Sequence, residues 1–276
     1  MPANVVKAME ALSKHRLIDM GQYSESYKIG INSVGSAFEE YVKDLLTGRF
    51  YPGPDERTQA FSNEYSWLGN QNFPPDAIAA GGDAFEIKKH EKPASIIALN
   101  SSHPRDVLSR DDPMLTQECR DSMGTSPLDL FYIVGTVTKG VARSIYFVQG
   151  KCYAASSSIY QSISSRLSDA VRKAMRESGL QYSETRELGR INRADPLGRA
   201  SLRVRGMWQI QDPSRAFAGI APPLDGREFF AYAIMEEEKY KSIGQAAGGA
   251  NVAKARIPSP NNPARPMDAV VMEVSW

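Results

Sequence analysis

The sequence predicts a single α/β domain over residues 1–276, on three observations. Apolar residues recur at helical spacing in three stretches, the longest running Ile159, Ile163, Leu167, Val171, Met175. The runs LDLFYIVGTVT (128–138) and SIYFVQ (144–149) are rich in β-branched and aromatic residues and read as buried central strands. Short apolar runs on either side of Gly81-Gly82 read as a β-hairpin. The chain shows no internal repeat and no interdomain linker, and 276 residues can bury a substantial core.

From the N-terminus, Val5, Val6, Met9, Leu12 and Leu17 predict an amphipathic helix over residues 3–20. Polar residues 24–28 connect it to a second helix, opened by the capping side chains of Asn32 and Ser33 and closed by Gly48. Val34, Phe38, Tyr41, Val42, Leu45 and Leu46 form its apolar stripe, with Glu39 and Glu40 beside it. Residues 51–54 turn the chain, and residues 61–68 are expected to form a strand feeding the hairpin. Pro93 ends the second hairpin strand, and residues 95–99 (SIIAL) resemble a further strand. Asn100, Ser101 and Ser102 begin a polar loop whose amides and hydroxyls suit phosphate or base contacts, although any surface turn has such a composition. Residues 106–127 read as loop with a short helix, and Lys139-Gly140 turns between the two central strands. The long helix spans 157–178. Beyond it, 202–210 is expected to be a strand, 229–235 a strand or short helix, 241–266 a long exposed loop, and 269–274 the last strand.

Composition excludes more than it selects. Lys plus Arg number 33 against 32 Asp plus Glu, so any basic surface must come from local clustering. Cys119 and Cys152 lie far apart without Cys or His companions, which points to reduced thiols and away from a disulfide framework or zinc site. His90 and His103 lack ligand spacing and are expected to bind no metal. No apolar run approaches the roughly 20 residues of a membrane span, and the N-terminus lacks the layout of a signal peptide. A soluble cytoplasmic protein is the expectation.

The hairpin carries the chemistry. Side chains alternate along a strand, so Glu86 and Lys88 project from one face and Phe85 and Ile87 from the other. With Gly81, Gly82 and Asp83 as a three-residue loop, Asp76 lies opposite Lys88 and Ile78 opposite Glu86. Three charged groups then converge on one face, whereas a two-residue turn would put Asp76 on the wrong side. Two carboxylates and an ammonium held that close suit a divalent cation and a phosphate. Asp76 and Glu86 are the expected Mg²⁺ ligands, with the Ile87 carbonyl adding a third and water and substrate phosphate completing the octahedron. Lys88 is expected to polarise an attacking water and offset charge developing on the phosphorane-like transition state. The chemistry predicted is in-line hydrolysis of a phosphodiester. One of Glu39 and Glu40 would join the site if that helix lies against it.

The segment 186–205 changes character. Arg186, Arg190, Arg193, Arg199, Arg203 and Arg205 stand there against Glu187 and Asp195, with no lysine. The planar guanidinium fork suits bidentate contact to phosphate or to the O6/N7 edge of guanine. Gly189, Pro196 and Gly198 indicate a shaped loop, and Asn192 adds an amide among the arginines. This segment is the expected DNA contact, with Asn100, Ser101 and Ser102 as further candidates.

Pro75-Asp76 followed by Glu86-Ile87-Lys88 resembles the signature of the PD-(D/E)XK nuclease superfamily. The helix GSAFEEYVKDLL is similar to one that often donates a further acidic residue there, and its Gly-x-x-apolar-Glu pattern, Gly35 to Glu39, favours Glu39 over Glu40. The runs WLGNQNFPPD, EIKKHEKPASIIALNSS and ELGRINRADPLGRASLRVRGMW resemble the NgoPII-like type II restriction endonucleases, over about residues 30–215. The resemblance implies a restriction-endonuclease-like core, a mixed central sheet flanked by helices, with C-terminal elaborations. The catalytic core would occupy about 30–180 and the DNA-recognition elements about 186–215. It implies a Mg²⁺-dependent homodimer that cuts both strands of a short palindrome in double-stranded DNA, GGCC for this group, leaving 5′-phosphates. A repair or recombination endonuclease of the same superfamily, and a DNA-binding protein without cleavage, are the rival readings.

Overall fold

The computed structural model describes residues 2–28, 34–70, 73–124, 127–179, 182–183, 187–244 and 248–276. Helix α1 (Val5–Lys14) is capped by the Asn4 side chain, which accepts a hydrogen bond from the Lys7 amide, and it buries Val5, Val6, Met9 and Leu12. It stops at an extended His15, short of the predicted residue 20. Asp19 then caps a separate helix, α2 (Met20–Ser26), where the sequence reads as a polar connector. Helix α3 (Val34–Thr47) buries Phe38, Tyr41, Val42, Leu45 and Leu46, and Gly48 follows it at φ +78°. Asn32 and Ser33, expected to open it, lie outside the described residues.

Residues 61–64 belong to a helix and not to the expected strand. In α4 (Pro54–Glu64), Pro54 presets the first turn and Asp55 and Glu56 sit at its positive end, which favours a helix start there. The strand begins later, as β1 (Tyr65–Asn70), and the hairpin follows as β2 (Phe73–Ala79) and β3 (Ala84–His90). Then come β4 (Ile97–Asn100), β5 (Val107–Leu108), α5 (Gln117–Ser122), β6 (Leu128–Thr138), β7 (Val141–Gln149), α6 (Gly150–Tyr153) and α7 (Ser157–Glu177). The predicted strand 202–210 is two strands. After β8 (Tyr182–Ser183) and β9 (Gly189–Ile191) come β10 (Leu202–Val204) and β11 (Trp208–Ile210), separated at residues 205–207. A short α8 (Pro213–Ala216) precedes β12 (Phe230–Glu236), which settles the ambiguous run as strand, and α9 (Glu237–Ile243) follows. The expected loop 241–266 contains the end of α9 and a full strand, β13 (Asn251–Ile257), before β14 (Met267–Ser275). As an edge strand with mostly exposed side chains, β13 lacks the apolar signature that sequence reading relies on.

The chain divides into two compact units, Met1–Ser95 with Arg105–Ala154 and Gln211–Trp276, and Ile96–Pro104 with Ala155–Ile210. The first unit is built on a mixed sheet in the order β1-β2-β3-β6-β7-β12-β14-β13, with β5 on the flank of β6. The β3–β6 and β7–β12 neighbours are parallel and the others antiparallel. Phe85, Ile87, Phe131, Ile133, Ile145 and Phe147 project from one face into a core shared with α1 and α3. Tyr146, Val148, Tyr232 and Ile234 project from the other face and pack with Cys152 of α6 and Phe217. Residues 128–138 and 144–149 are thus buried central strands, covered on both faces. Close approach at Gly135 lets α3 lie on the sheet: a methyl group there would come within 2.0 Å of the Phe38 ring.

In the second unit β4 pairs with β11, so residues 97–100 do not extend the main sheet. A three-stranded sheet, β10-β9-β8, carries α7 against one side, where a methyl at Gly189 would come within 2.5 Å of Met175. Met175 is the residue of α7 that is fully buried; Ile159, Ile163 and Leu167 of the predicted stripe are 44–52% exposed. Among the described residues no helix is long and apolar enough to cross a membrane.

Candidate active site and arginine face

The hairpin register differs from the predicted one. Ala77 pairs with Phe85 and Ile78 with Ala84, and the Ala79 amide bonds the Asp83 carbonyl at 2.9 Å, so the loop is Ala80-Gly81-Gly82. Continued one step, this register sets Asp76 opposite Glu86, where Lys88 was expected, and Ile78 opposite Ala84 instead of Glu86. The shift moves the pairing by two residues along the partner strand, which preserves the strand's alternation. Gly81 takes the left-handed conformation the turn needs, at φ +68°.

Asp76, Glu86 and Lys88 therefore still converge. Lys88 Nζ lies 2.6 Å from Glu86 Oε1 and 3.9 Å from Asp76 Oδ2. The Ile87 amide donates to Asp76 Oδ2 at 2.5 Å, which locks that carboxylate against β3. All three side chains are largely shielded from solvent. Burial, then the like charge of Glu86, pushes the Asp76 carboxyl up to about 7, against the opposing pull of Lys88 and the Ile87 amide. Burial works against the Lys88 ammonium, but Glu86 and Asp76 outweigh it and hold its pKa above the usual range. Two crowded carboxylates make a site that a cation would relax.

Of the two helix glutamates, Glu39 is the one whose charge bears on both Asp76 and Lys88. It is not hydrogen-bonded to either; Lys43, itself buried, holds Glu39 at 2.7 Å and Glu40 at 3.1 Å. Glu40 instead turns toward Arg57, at 3.6 Å. Among the described residues no group of three or more Asp, Glu, His or Cys side chains is arranged as a metal cage. A pair of carboxylates matches how Mg²⁺ is usually held, with water and substrate oxygens as its other ligands. Lys89 turns away to Glu91 at 3.5 Å, so it does not compete with Lys88. His90 is engaged by Thr136 Oγ1 at 3.0 Å and by Asp212 at 3.3 Å, and His103 stacks on Tyr160.

The arginine segment forms a face in the second unit. Gly189 lies against α7 and Ile191 is buried, so Arg190 projects from the other side of β9. Arg203 is its direct partner on β10 and Ser183 its partner on β8. Arg203 and Arg205 both bond Glu187, a contact that the sequence, counting Glu187 only as an opposing charge, does not reveal. Asn192 bonds the Ser183 hydroxyl. Arg193 and Arg199 are exposed in the loop between β9 and β10, which Asp195 organises by accepting the amides of Leu197 at 2.9 Å and Arg199 at 3.3 Å. Arg186 lies outside the described residues. Asn100 and Ser101 are exposed and Ser102 half-buried, in and after β4; Asn100 pairs with Trp208 of β11.

Residues 3–256 match the family model of the NgoPII restriction endonuclease. The type II restriction enzyme NgoPII of Neisseria gonorrhoeae is 37% identical over 270 residues, which span 95% of this chain and 96% of that protein. No solved structure matches the chain. A match of this extent leaves no part of the site outside the aligned region, and the chain belongs to the NgoPII restriction endonuclease family of hydrolytic nucleases.

Proposed function

We propose that the chain is a type II site-specific deoxyribonuclease that hydrolyses both strands of a short palindromic, GC-rich site in double-stranded DNA. GGCC is the target the family suggests. The observation that carries the reading is the convergence of Asp76, Glu86 and Lys88 on one strand face in a chain of this family. Asp76, Glu86 and the Ile87 carbonyl would hold Mg²⁺, which when bound supplies Lewis-acid stabilisation of the phosphate and an acidified water. Lys88, already within hydrogen-bond reach of Glu86, would orient the attacking water and share the charge that accumulates on the phosphate oxygens. Glu39, one step out, would add a carboxylate for an outer water. Attack in line with the 3′ oxygen leaves a 5′-phosphate and a 3′-hydroxyl.

A palindrome presents two equivalent strands, so a two-fold pair of chains would supply one site to each. Contact with DNA would come from Arg190, Arg193, Arg199, Arg203 and Arg205 with Asn192, joined by Arg186 and by Asn100, Ser101 and Ser102. The test is digestion of a plasmid of known sequence by the purified protein in Mg²⁺. Discrete fragments are expected, with ends that religate without added kinase and whose sequences fix the site. Nicking confined to mismatched or branched DNA would move the protein to repair, and intact plasmid in both Mg²⁺ and Mn²⁺ would end the nuclease reading.

A further inference from the structure

Glu187 is an acidic residue set among arginines, and its contacts have a specific form. Arg203 approaches it side-on: Nε donates to Oε2 at 3.0 Å and Nη2 to Oε1 at 2.5 Å. Arg205 Nε donates to the same Oε1 at 2.5 Å. Among the described residues, one carboxylate thus accepts three hydrogen bonds from two guanidinium groups. The Glu187 side chain is 15% exposed, while Arg203 and Arg205 are 50% and 60% exposed. The acceptor is sheltered and the guanidinium ends are presented to solvent.

An exposed ion pair adds little to stability, because solvent screens the charges and two side chains lose freedom to hold it. What this one does achieve is orientation. A side-on contact uses Nε and one hydrogen of Nη2, and it leaves Nη1 and the second hydrogen of Nη2 as a free, coplanar pair of donors. That pair has the spacing of the O6 and N7 acceptors on the major-groove edge of guanine. A phosphate also accepts a guanidinium fork, but it offers its oxygens from several directions, whereas the O6 and N7 of a stacked guanine lie in one plane, so a guanidinium oriented in advance matters most for the base edge. Arg190, directly across the ladder from Arg203, adds a like charge beside it, which the carboxylate held on Arg203 offsets.

We propose that Glu187 is a positioning residue that clamps Arg203 edge-on for a guanine in the major groove, with Arg205 braced by the same oxygen. The proposal rests on the reading above that this face meets DNA, and it assigns that face one base contact and the residue that orients it.

The test uses the full-length protein in Ca²⁺, with two duplexes: one carrying the cleavage site mapped from plasmid fragments, the other a scrambled sequence of the same composition. Glu187→Gln keeps the shape and removes the charge. It is expected to weaken binding to the site on the order of 10-fold or more, while binding to the scrambled duplex stays equal or tightens. Replacing one guanine of each half-site by 7-deazaguanine, which lacks the N7 acceptor, should cost the wild type on the order of 10-fold and cost Arg203→Ala almost nothing at that same position. An unchanged site-to-scrambled ratio in Glu187→Gln overturns the proposal. Arg203→Ala weakening both duplexes equally overturns it too, leaving a phosphate contact and the DNA-facing reading intact. Arg203→Ala and Arg205→Ala that bind both duplexes like wild type would instead remove that reading itself. Should Glu187→Gln fail to fold, the 7-deazaguanine series on wild type and Arg203→Ala still decides: equal losses in both reject the clamp.

Discussion

Asp76 illustrates how a single residue in this protein is held against its preference: its carboxylate is buried beside Glu86, and Lys88 and the Ile87 amide only partly offset the cost. Asp44 is a second case, away from the site, and a cleaner one to measure. Fully buried in α3, it accepts hydrogen bonds from the Tyr23 hydroxyl at 2.7 Å and Arg57 Nε at 3.1 Å. Burial pushes its carboxyl up to about 6, against the pull of Arg57 and Tyr23. A folded-state pKa above the unfolded one means that the native state holds the proton longer. The stability from this group is therefore full below the unfolded value near 4 and is lost as pH rises through about 6. The interval corresponds to at most ~3 kcal/mol. Urea titrations of wild type and Asp44→Asn at pH 4 to 7 should show the wild type losing stability relative to the variant across that window; a constant difference would reject it. The sequence made the convergence of Asp76, Glu86 and Lys88 legible because alternation along a strand survives a two-residue error in register. It did not reveal the Lys43–Glu39 tie or the Glu187 clamp. A glutamate's partner four or sixteen residues away is set by packing and turn geometry, and composition carries neither.

Among the elements, those with a strong internal pattern were readable and those defined by neighbours were not. β6 matches its predicted limits because eleven residues of branched and aromatic character have one good solution. α4 buries only Arg57 and Phe61, so it has no apolar stripe to read, and its signal lies in Pro54, Asp55 and Glu56 at the start. β13 has no such pattern, because most side chains of this edge strand are exposed and only Ile257 at its end is buried. The junction of α3 with the sheet is where an element's position governs the site. Phe38, fully buried, sits over Gly135 of β6, and Glu39 follows it in the chain. Gly135→Ala would force the ring and with it α3 outward, destabilising the protein by roughly 1–3 kcal/mol through overpacking. Cleavage should fall further than stability alone explains, since Glu39 moves with the helix. Phe38→Leu in the same background gives back space at the contact and should recover part of both losses, which thermal melts and plasmid digestion would show. Additive losses in the double variant would mean that the two positions are not coupled.

At the scale of the whole molecule, the formal charge is only +1, so attraction to a polyanion must come from where the arginines stand and not from their number. Arg193, Arg199, Arg203 and Arg205 are exposed in the second compact unit, and the crowded carboxylates lie in the first. Binding and cleavage should therefore separate by mutation. In Ca²⁺, affinity for a duplex carrying the site should fall with salt, and Arg193→Ala or Arg199→Ala should each reduce the slope of log affinity against log salt by about 1 where the side chain meets a phosphate. Asp76→Asn should lose cleavage by at least ~100-fold and yet bind DNA as well as wild type or better, because it removes a negative charge without touching the arginine face. Both variants need circular dichroism to confirm the fold. A parallel loss of binding and cleavage in Asp76→Asn, with the fold intact, would mean that the carboxylate cluster helps to shape the DNA-binding surface, and the division of labour between the two units would fall with it.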